Sequence, residues 1–566
     1  MTMPPTSNQT PREEVSVGSQ PEDDTSNSNK DSSLSEKSDA PSEAFNPGWR
    51  FIVAYASLCI ILLMSALDAT SISVALPIMA KALGGTALEA FWSGSSFLLT
   101  STVFQPVVGS LSHIFGRKPM IYVSLGLFLI GSIVPAVAND FTVLLVGRSI
   151  QGIGGGGIIV LTEIVVTDMV PLRERGKWFA MFSAMWSVGT VTGPLLGGGF
   201  SQNVTWRWIF WINLPFLGIG FVMITLFLKL NFPTSGWLSK LRRVDWVGLV
   251  LFVGSMTGFL IPVTWGGVQY PWDSWRTLVP LIISVFGLIV FIIHQERWAA
   301  EPLIRTSVFK NTTSAVTYLS TVIHGVILWS VLYYLPLYYQ CVKDLSPIMS
   351  AVALFPMTFT VAPAATVTGI LIAVTGKYRW AIWSGWFLTV FGSGLMILLA
   401  VDTTTVEWIF LTLIAGIGTG ILFPAMTIAT QAAASGRDQA YAATMFAFTR
   451  ALGQTLGVAL GGVIFQNQMK KKLLTFPLLT EHAEEYSRDA AGLVEIIKQL
   501  PDGLMKTQLK EGYTDANKYV WIFVTALSAV ALVASMFTKA YALDQTNESE
   551  QGFKEKQKIV DTEASS

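Results

Sequence analysis

Gly109-Ser110-Leu111-Ser112-His113-Ile114-Phe115-Gly116-Arg117-Lys118 is a short polar interruption between two long apolar stretches, and a form of it occurs twice. About 260 residues later, Gly369-Ile370-Leu371 is followed by Gly376-Lys377-Tyr378-Arg379. Working outward, Gly152-Ile153-Gly154-Gly155-Gly156 returns as Gly416-Ile417-Gly418-Thr419-Gly420. Gly189, Gly193, Gly197 and Gly198 return at the same spacing as Gly453, Gly457, Gly461 and Gly462. Two homologous apolar halves are how secondary transporters are built, and such halves rock about a site near the bilayer midplane.

Composition points the same way. The chain has 566 residues, of which 51% are hydrophobic and only 13% charged, with a mean hydropathy of +0.52. A soluble protein would carry roughly twice that charge. A formal net charge of zero gives no reason to expect nucleic acid. Two cysteines, Cys59 and Cys341, exclude a disulfide framework and a cysteine-rich metal site. With four histidines, no metal cluster, nucleophile triad or ATP motif stands out. Neither an enzyme nor a primary pump is expected, and no cofactor.

About fourteen segments are long enough to cross a bilayer as helices of roughly 20 residues. They lie near 51–77, 91–112, 119–138, 142–168, 178–200, 207–229, 244–265, 277–295, 314–340, 349–374, 380–401, 407–430, 443–465 and 518–540. The expected fold is an all-α integral membrane protein with two pseudo-symmetric six-helix bundles, 47–230 and 313–541. Between them, 231–312 supplies a linker and two inserted helices, which the repeat offset leaves room for. Residues 1–46 and 542–566 read as disordered cytosolic tails, too poor in apolar residues to fold. Residues 466–516 read as a long extracytosolic loop.

Basic residues fall in alternate loops: Arg117 and Lys118; Arg173, Arg175 and Lys177; Lys229, Lys240, Arg242 and Arg243; Arg297, Arg305 and Lys310; Lys377 and Arg379; Arg437. Lysine and arginine accumulate on the cytoplasmic side, so both termini are expected there. Trp206, Trp208, Trp211, Trp272 and Trp275 sit at span ends, as interfacial aromatics do.

An ionisable group at membrane depth costs about 2.5–3.5 kcal/mol on insertion scales, so it is usually paired or functional. Asp68 in the first span and Arg148 in the fourth come out at similar depth and could pair. A static ion pair and a proton carrier whose charge Arg148 stabilises are both open readings. Glu163, about four turns along the same span, is a second proton-site or a cation-substrate candidate. Arg450, near the cytoplasmic end of the thirteenth span, reads as a snorkelling side chain. Glycines four apart allow close helix approach, which is the packing role expected of Gly189, Gly193, Gly197, Gly198, Gly453 and Gly457, with Pro194 adding a bend. The run from Gly152 fits a dinucleotide-binding pattern, but inside a span it lacks the strand–turn–helix setting that pattern needs. The ninth span carries His324, Trp329, Tyr333 and Tyr334. With Gln151 these are the candidates for an aromatic cavity suited to bulky apolar or amphipathic molecules.

These motifs together resemble the major facilitator superfamily, in its fourteen-helix drug:proton antiporter branch. The decapeptide Gly109–Lys118 is similar to the turn signature between the family's second and third helices. Leu67-Asp68-Ala69-Thr70 through Pro77 resembles the first-helix signature, Arg148-Ser149-Ile150-Gln151-Gly152 that of the fourth helix, and Gly189 through Gly198 the fifth-helix antiporter motif. Arg207-Trp208-Ile209-Phe210-Trp211-Ile212-Asn213-Leu214-Pro215 is also similar to that branch, nearest to fungal toxin and secondary-metabolite efflux pumps. The chain departs from the turn signature at His113, where the family usually has an acid or Asn, and at Ile114, where it often has Arg. The resemblance implies a proton-coupled exporter of small organic compounds, acting as a monomer in a lipid bilayer. It implies a gating role for Gly109, His113, Gly116, Arg117, Lys118, Gly376, Lys377 and Arg379, and a plasma-membrane or else vacuolar location. Proton-coupled uptake of siderophores or basic amino acids, and a transporter-like sensor, are the alternatives.

Overall fold

The computed structural model describes residues 47–85, 87–231, 236–267, 269–488, 490–545 and 551–552; the tail expected at 1–46, and residues 546–550 and 553–566 of the tail expected at 542–566, lie outside the described residues. The described part of the second tail is packed rather than disordered: Leu543 is buried, Gln545 Nε2 donates to the Ala432 carbonyl at 3.0 Å, and the Arg117 N–H donates to Gln551 Oε1 at 3.2 Å. Among the described residues the regular structure is helical. A bilayer leaves no alternative to helices or closed barrels, because backbone polar groups there must be satisfied within the protein.

Among the described residues fourteen long helices run in order. In the first half they are α1 (Trp49–Ser71), α2 (Ala87–Phe115), α3 (Arg117–Ala136), α4 (Phe141–Met169), α5 (Arg175–Asn203) and α6 (Trp208–Phe227). The inserted pair is α7 (Trp246–Trp265) and α8 (Trp275–Arg297). The second half holds α9 (Thr312–Cys341), α10 (Phe355–Thr375), α11 (Arg379–Met396), α12 (Thr405–Ala432), α13 (Gln439–Leu473) and α14 (Leu504–Ser535). Thirteen of them are long and apolar enough to cross a membrane. The other is α11, expected at 380–401, which has 18 residues and spends several on Arg379, three tryptophans and three glycines. Its place is held by packing on α12 and α14.

The repeat is visible in the packing. In α4, a Cβ on Gly152 or Gly156 would strike Phe97 and Ser101 of α2, and one on Gly154 would strike Phe128 of α3. In α12, a Cβ on Gly416 or Gly420 would strike Met357 and Val361 of α10, and one on Gly418 would strike Thr389 of α11. Gly189, Gly193 and Gly197 of α5 lie on Ala66, Thr70 and Ser71 of α1, as Gly453 and Gly457 of α13 lie on Val322 and Val326 of α9. Gly198 lies apart from that seam, in ordinary contact with Ile348.

The inserted helices pack on each other, and α7 also touches α2 and α13, one from each half. Asp245 caps α7 through the Gly248 N–H and accepts from Gln295 of α8 at 2.6 Å. Residues 466–516 are not an irregular loop. Helix α13 continues to Leu473, two short helices follow at Ala483–Arg488 and Ala490–Gln499, and α14 begins at Leu504. Leu473, Leu479, Ile497, Leu509 and Tyr513 are buried there, and Lys472 pairs with Asp515 at 2.6 Å. Basic residues at 470–472 disguised this small apolar core as a surface segment.

Candidate substrate cavity and charged sites

The end of the molecule that carries the two glycine-and-base turns is closed. Gly116 (φ 100°) and Gly376 (φ 65°) take backbone conformations that side chains disfavour. Gly109 packs on Thr444 and Gly369 on Gly176, so each turn region meets the other half. His113 stacks on Tyr441 with ring centroids 4.0 Å apart, and Arg305 covers Tyr441 from 4.3 Å. The buried Arg117 side chain bonds within its own half: Nε donates to Asp168 at 2.9 Å and Nη1 to Ser112 Oγ at 2.6 Å, while the backbone N–H donates to Gln551 Oε1 at 3.2 Å. Lys118 donates to the Thr225 carbonyl at 3.0 Å; Lys377 is exposed, and Arg379 covers Trp383 from 4.6 Å. Arg175 joins the halves more directly. Its Nη1 donates to Gln431 Oε1 and Gln439 Oε1, both at 2.8 Å, while Nε and Nη2 hold the Val170 and Thr167 carbonyls.

Between the halves lies a cavity of about 760 Å³ of unfilled space, counting its open mouth. Trp186, Ser187 and Thr190 of α5 face His324, Leu328, Trp329 and Leu332 of α9 across it, with Met357, Val361, Phe423, Arg450 and Gln454 completing the wall. A second space shares Thr70, Thr190, Trp329 and Leu332 with it and extends to Tyr333, Pro336 and Pro347. That extension runs away from the closed end, along the later turns of α1 and α9. A small side pocket, with Ser101, Thr102, Gln105 and Ile159, shares Trp186, Arg450 and Gln454 with the main chamber. Of the candidates read from the sequence, His324, Trp329 and Tyr333 line these spaces and two do not. Tyr334 packs on Gly461 and donates to the Val458 carbonyl at 3.1 Å, on another face of α9. Gln151 is fully buried inside the first half.

There Gln151 belongs to a closed polar network. Arg148 Nη1 donates to Asp68 Oδ2 at 2.6 Å and to Gln151 Oε1 at 2.7 Å. Gln151 Nε2 and Asn213 Nδ2 each donate to Asp68 Oδ1 at 2.8 Å, and Arg148 Nε holds the Ser93 carbonyl at 3.0 Å. The rings of Phe97 and Phe210 flank the guanidinium at 4.5 and 5.8 Å. Asp68, Arg148, Gln151 and Asn213 are all 1% exposed or less, and none lines the spaces just described.

A second pair crosses between the halves. Arg450 Nη2 of α13 donates to Glu163 Oε1 of α4 at 3.0 Å. Phe423 and Phe446 cover the guanidinium from 4.8 and 5.5 Å. Arg450 therefore does not snorkel. It is buried, it neutralises Glu163, and it forms part of the cavity wall. A charge inside a span was the sequence signal for it, but its partner stands 287 residues away and no local pattern links them. Trp186 and Gln454 carried no signal at all. Among the described residues there is no group of side chains able to hold a metal ion.

The Major Facilitator Superfamily model matches residues 58–462. An MFS transporter, L2, of Phoma sp. is 69% identical over 92% of this chain and 87% of its own length. Efflux pump FUS6 of Gibberella fujikuroi is 35% identical over 92% of this chain and 94% of its own. Among solved structures, the proton:xylose symporter XylE superposes with a TM-score of 0.55 at 12% identity, covering 87% of this chain and 97% of that one, a likeness of fold.

Proposed function

The chain belongs to the Major Facilitator Superfamily, and from that premise we propose that it exports small amphipathic organic compounds by alternating access, driven by protons. The observation that carries this reading is the inter-half cavity, walled by Trp186, Trp329, Leu328, Leu332 and Met357, beside a seam closed at the basic end. An apolar, aromatic chamber with few convergent polar groups binds molecules by area and shape rather than by a fixed ion pair. The basic end is cytosolic by the charge rule, so this arrangement is the outward-facing one, with both termini in the cytosol of a cell whose plasma membrane holds the protein. It works as a monomer, since both halves of the cavity come from one chain. The relative named as an efflux pump favours export over uptake. The driving proton is taken up at membrane depth, where Asp68 and Glu163 are the acids paired with arginine.

The test is transport by purified protein in sealed liposomes. Nile red, an uncharged amphipathic probe, is followed with and without an imposed pH gradient. Export requires movement of the probe into the compartment from which protons leave. Movement with the protons instead would make the protein an uptake system, and no gradient dependence would remove proton coupling.

A further inference from the structure

The two acid–arginine pairs at membrane depth differ in what they join. Asp68 and Arg148 both belong to the first half, and Ser93, Gln151 and Asn213 of the same half close around them. Any relative motion of the halves leaves that network intact. Glu163 and Arg450 belong to opposite halves, so opening the basic end must part them. Glu163 lies six residues before the end of α4 at Met169, about 9 Å from that end. The pair therefore sits between the cavity and the closed seam.

Arg450 is the counterion of Glu163. The charged groups on the elements packed around α4 have partners of their own. Asp68 of α1 holds Arg148; His113 of α2 and Arg117 of α3 contact each other, and Arg117 holds Asp168; Arg175 of α5 holds Gln431 and Gln439. His324 of α9 lines the cavity near Arg450 and binds the Thr419 carbonyl through Nε2. Glu163 Oε2 is buried without a hydrogen-bond partner, a position open to a proton.

We propose that the Glu163–Arg450 pair bolts the halves together at the basic end and makes a proton and an uncharged cargo exclude one another. This rests on the transport reading above. With Glu163 ionised, the pair is neutral, and an apolar molecule can dry the chamber beside it without stranding a charge. A proton from bulk water, added at Oε2, leaves Arg450 as an unneutralised cation in the cavity wall. A buried unpaired charge is strongly unfavourable unless water or an anion reaches it. A protonated carrier is thus hydrated, unbolted and poor at holding apolar cargo, whereas a deprotonated one is bolted and binds it. That reciprocal exclusion is what antiport needs, by linkage. The same geometry gives an anionic cargo the opposite effect. It replaces the lost carboxylate beside Arg450, so anion and proton bind together. The cargo class that fits a proton-driven exporter of this build is uncharged and largely apolar.

Two measurements on the full-length protein in detergent test this. In the first, cysteines replace exposed Lys177 and Lys377, one on each half at the basic end, and carry spin labels; the two natural cysteines are buried. Lowering the pH should lengthen the label distance in the wild type. Glu163→Gln should show the longer distance at every pH. A Glu163→Gln variant that stays closed overturns the bolt. In the second, proton exchange is recorded in weak buffer on adding 7-ethoxycoumarin, an uncharged probe, or 8-anilinonaphthalene-1-sulfonate, an anion. The first should release protons and the second take them up, both in proportion to binding, and both effects should vanish in Glu163→Gln. Should that variant fold poorly, Glu163→Gln with Arg450→Gln removes both charges and should bind the uncharged probe with no proton exchange. Exchange that survives in these variants, equal signs for the two probes, or failure of the uncharged probe to bind wild type overturns the exclusion. Gradient-driven export that persists with exchange lost only in Asp68→Asn would leave the transport reading standing and this one fallen.

Discussion

At the scale of single residues, the buried arginines divide by the company they keep. Arg148 is enclosed by Asp68, Gln151, the Ser93 carbonyl and two aromatic rings, all from one half. Its charge fixes helices α1, α4 and α6 to one another rather than to the second half. Asp68→Asn keeps the shape but removes the neutralising charge, and breaking a buried pair from one side costs about 3–5 kcal/mol. The apparent melting temperature in detergent should drop sharply, and Asp68→Asn with Arg148→Gln should recover much of it. Equal melting of wild type and Asp68→Asn would mean that the network carries no structural load. Asp68 and Arg148 were legible as a pair because helix rise alone puts them at one depth. Gln151 and Asn213 were not, since being a second donor to the same oxygen leaves no mark on spacing.

At the scale of elements, glycine spacing decides which helices lie in van der Waals contact. On α5, a Cβ at Gly197 would overlap the Ser71 carbonyl of α1, whereas one at Gly199 would meet nothing within 4 Å. Gly197→Ala should therefore force α5 from α1 at a cost of about 1–3 kcal/mol, the usual price of overpacking. Gly199→Ala on the same helix should be neutral or slightly stabilising, since alanine favours helix by roughly 1 kcal/mol over glycine. Thermal melting of the two variants side by side checks this, and identical shifts would reject the contact. The glycine pattern was readable because close approach demands a missing side chain at regular intervals. The helical cap over 466–516 was not, because its lysines point to salt partners only after Leu473, Ile497 and Tyr513 have packed.

At the scale of the whole molecule, the state of the protein is set by which end of the cavity is sealed. Arg175 spans the basic seam with two bonds to glutamines of the other half. A hydrogen bond from a charged donor contributes about 1.5–3 kcal/mol, and about 1.4 kcal/mol is tenfold in a two-state equilibrium. Arg175→Ala loses these bonds in the closed state alone, so the open fraction should rise by on the order of tenfold or more. A cysteine placed at Thr444, which Gly109 covers, reports it through its rate of maleimide labelling. An unchanged rate would show that apolar packing alone holds the seam.

The repeat, the span positions, the inserted pair and the family were all fixed by the order of residues. Lipid demands long apolar helices, and two homologous halves keep their glycines at a nearly constant offset. The tertiary structure alone decided the cavity wall, the enclosure of Gln151 and Tyr334, and the meeting of Glu163 with Arg450. Those contacts join helices far apart in the chain, across the halves for Glu163 and Arg450 and within one half for Gln151 and Tyr334. Their existence depends on helix rotation and on which end of the molecule is closed, neither of which a linear pattern encodes.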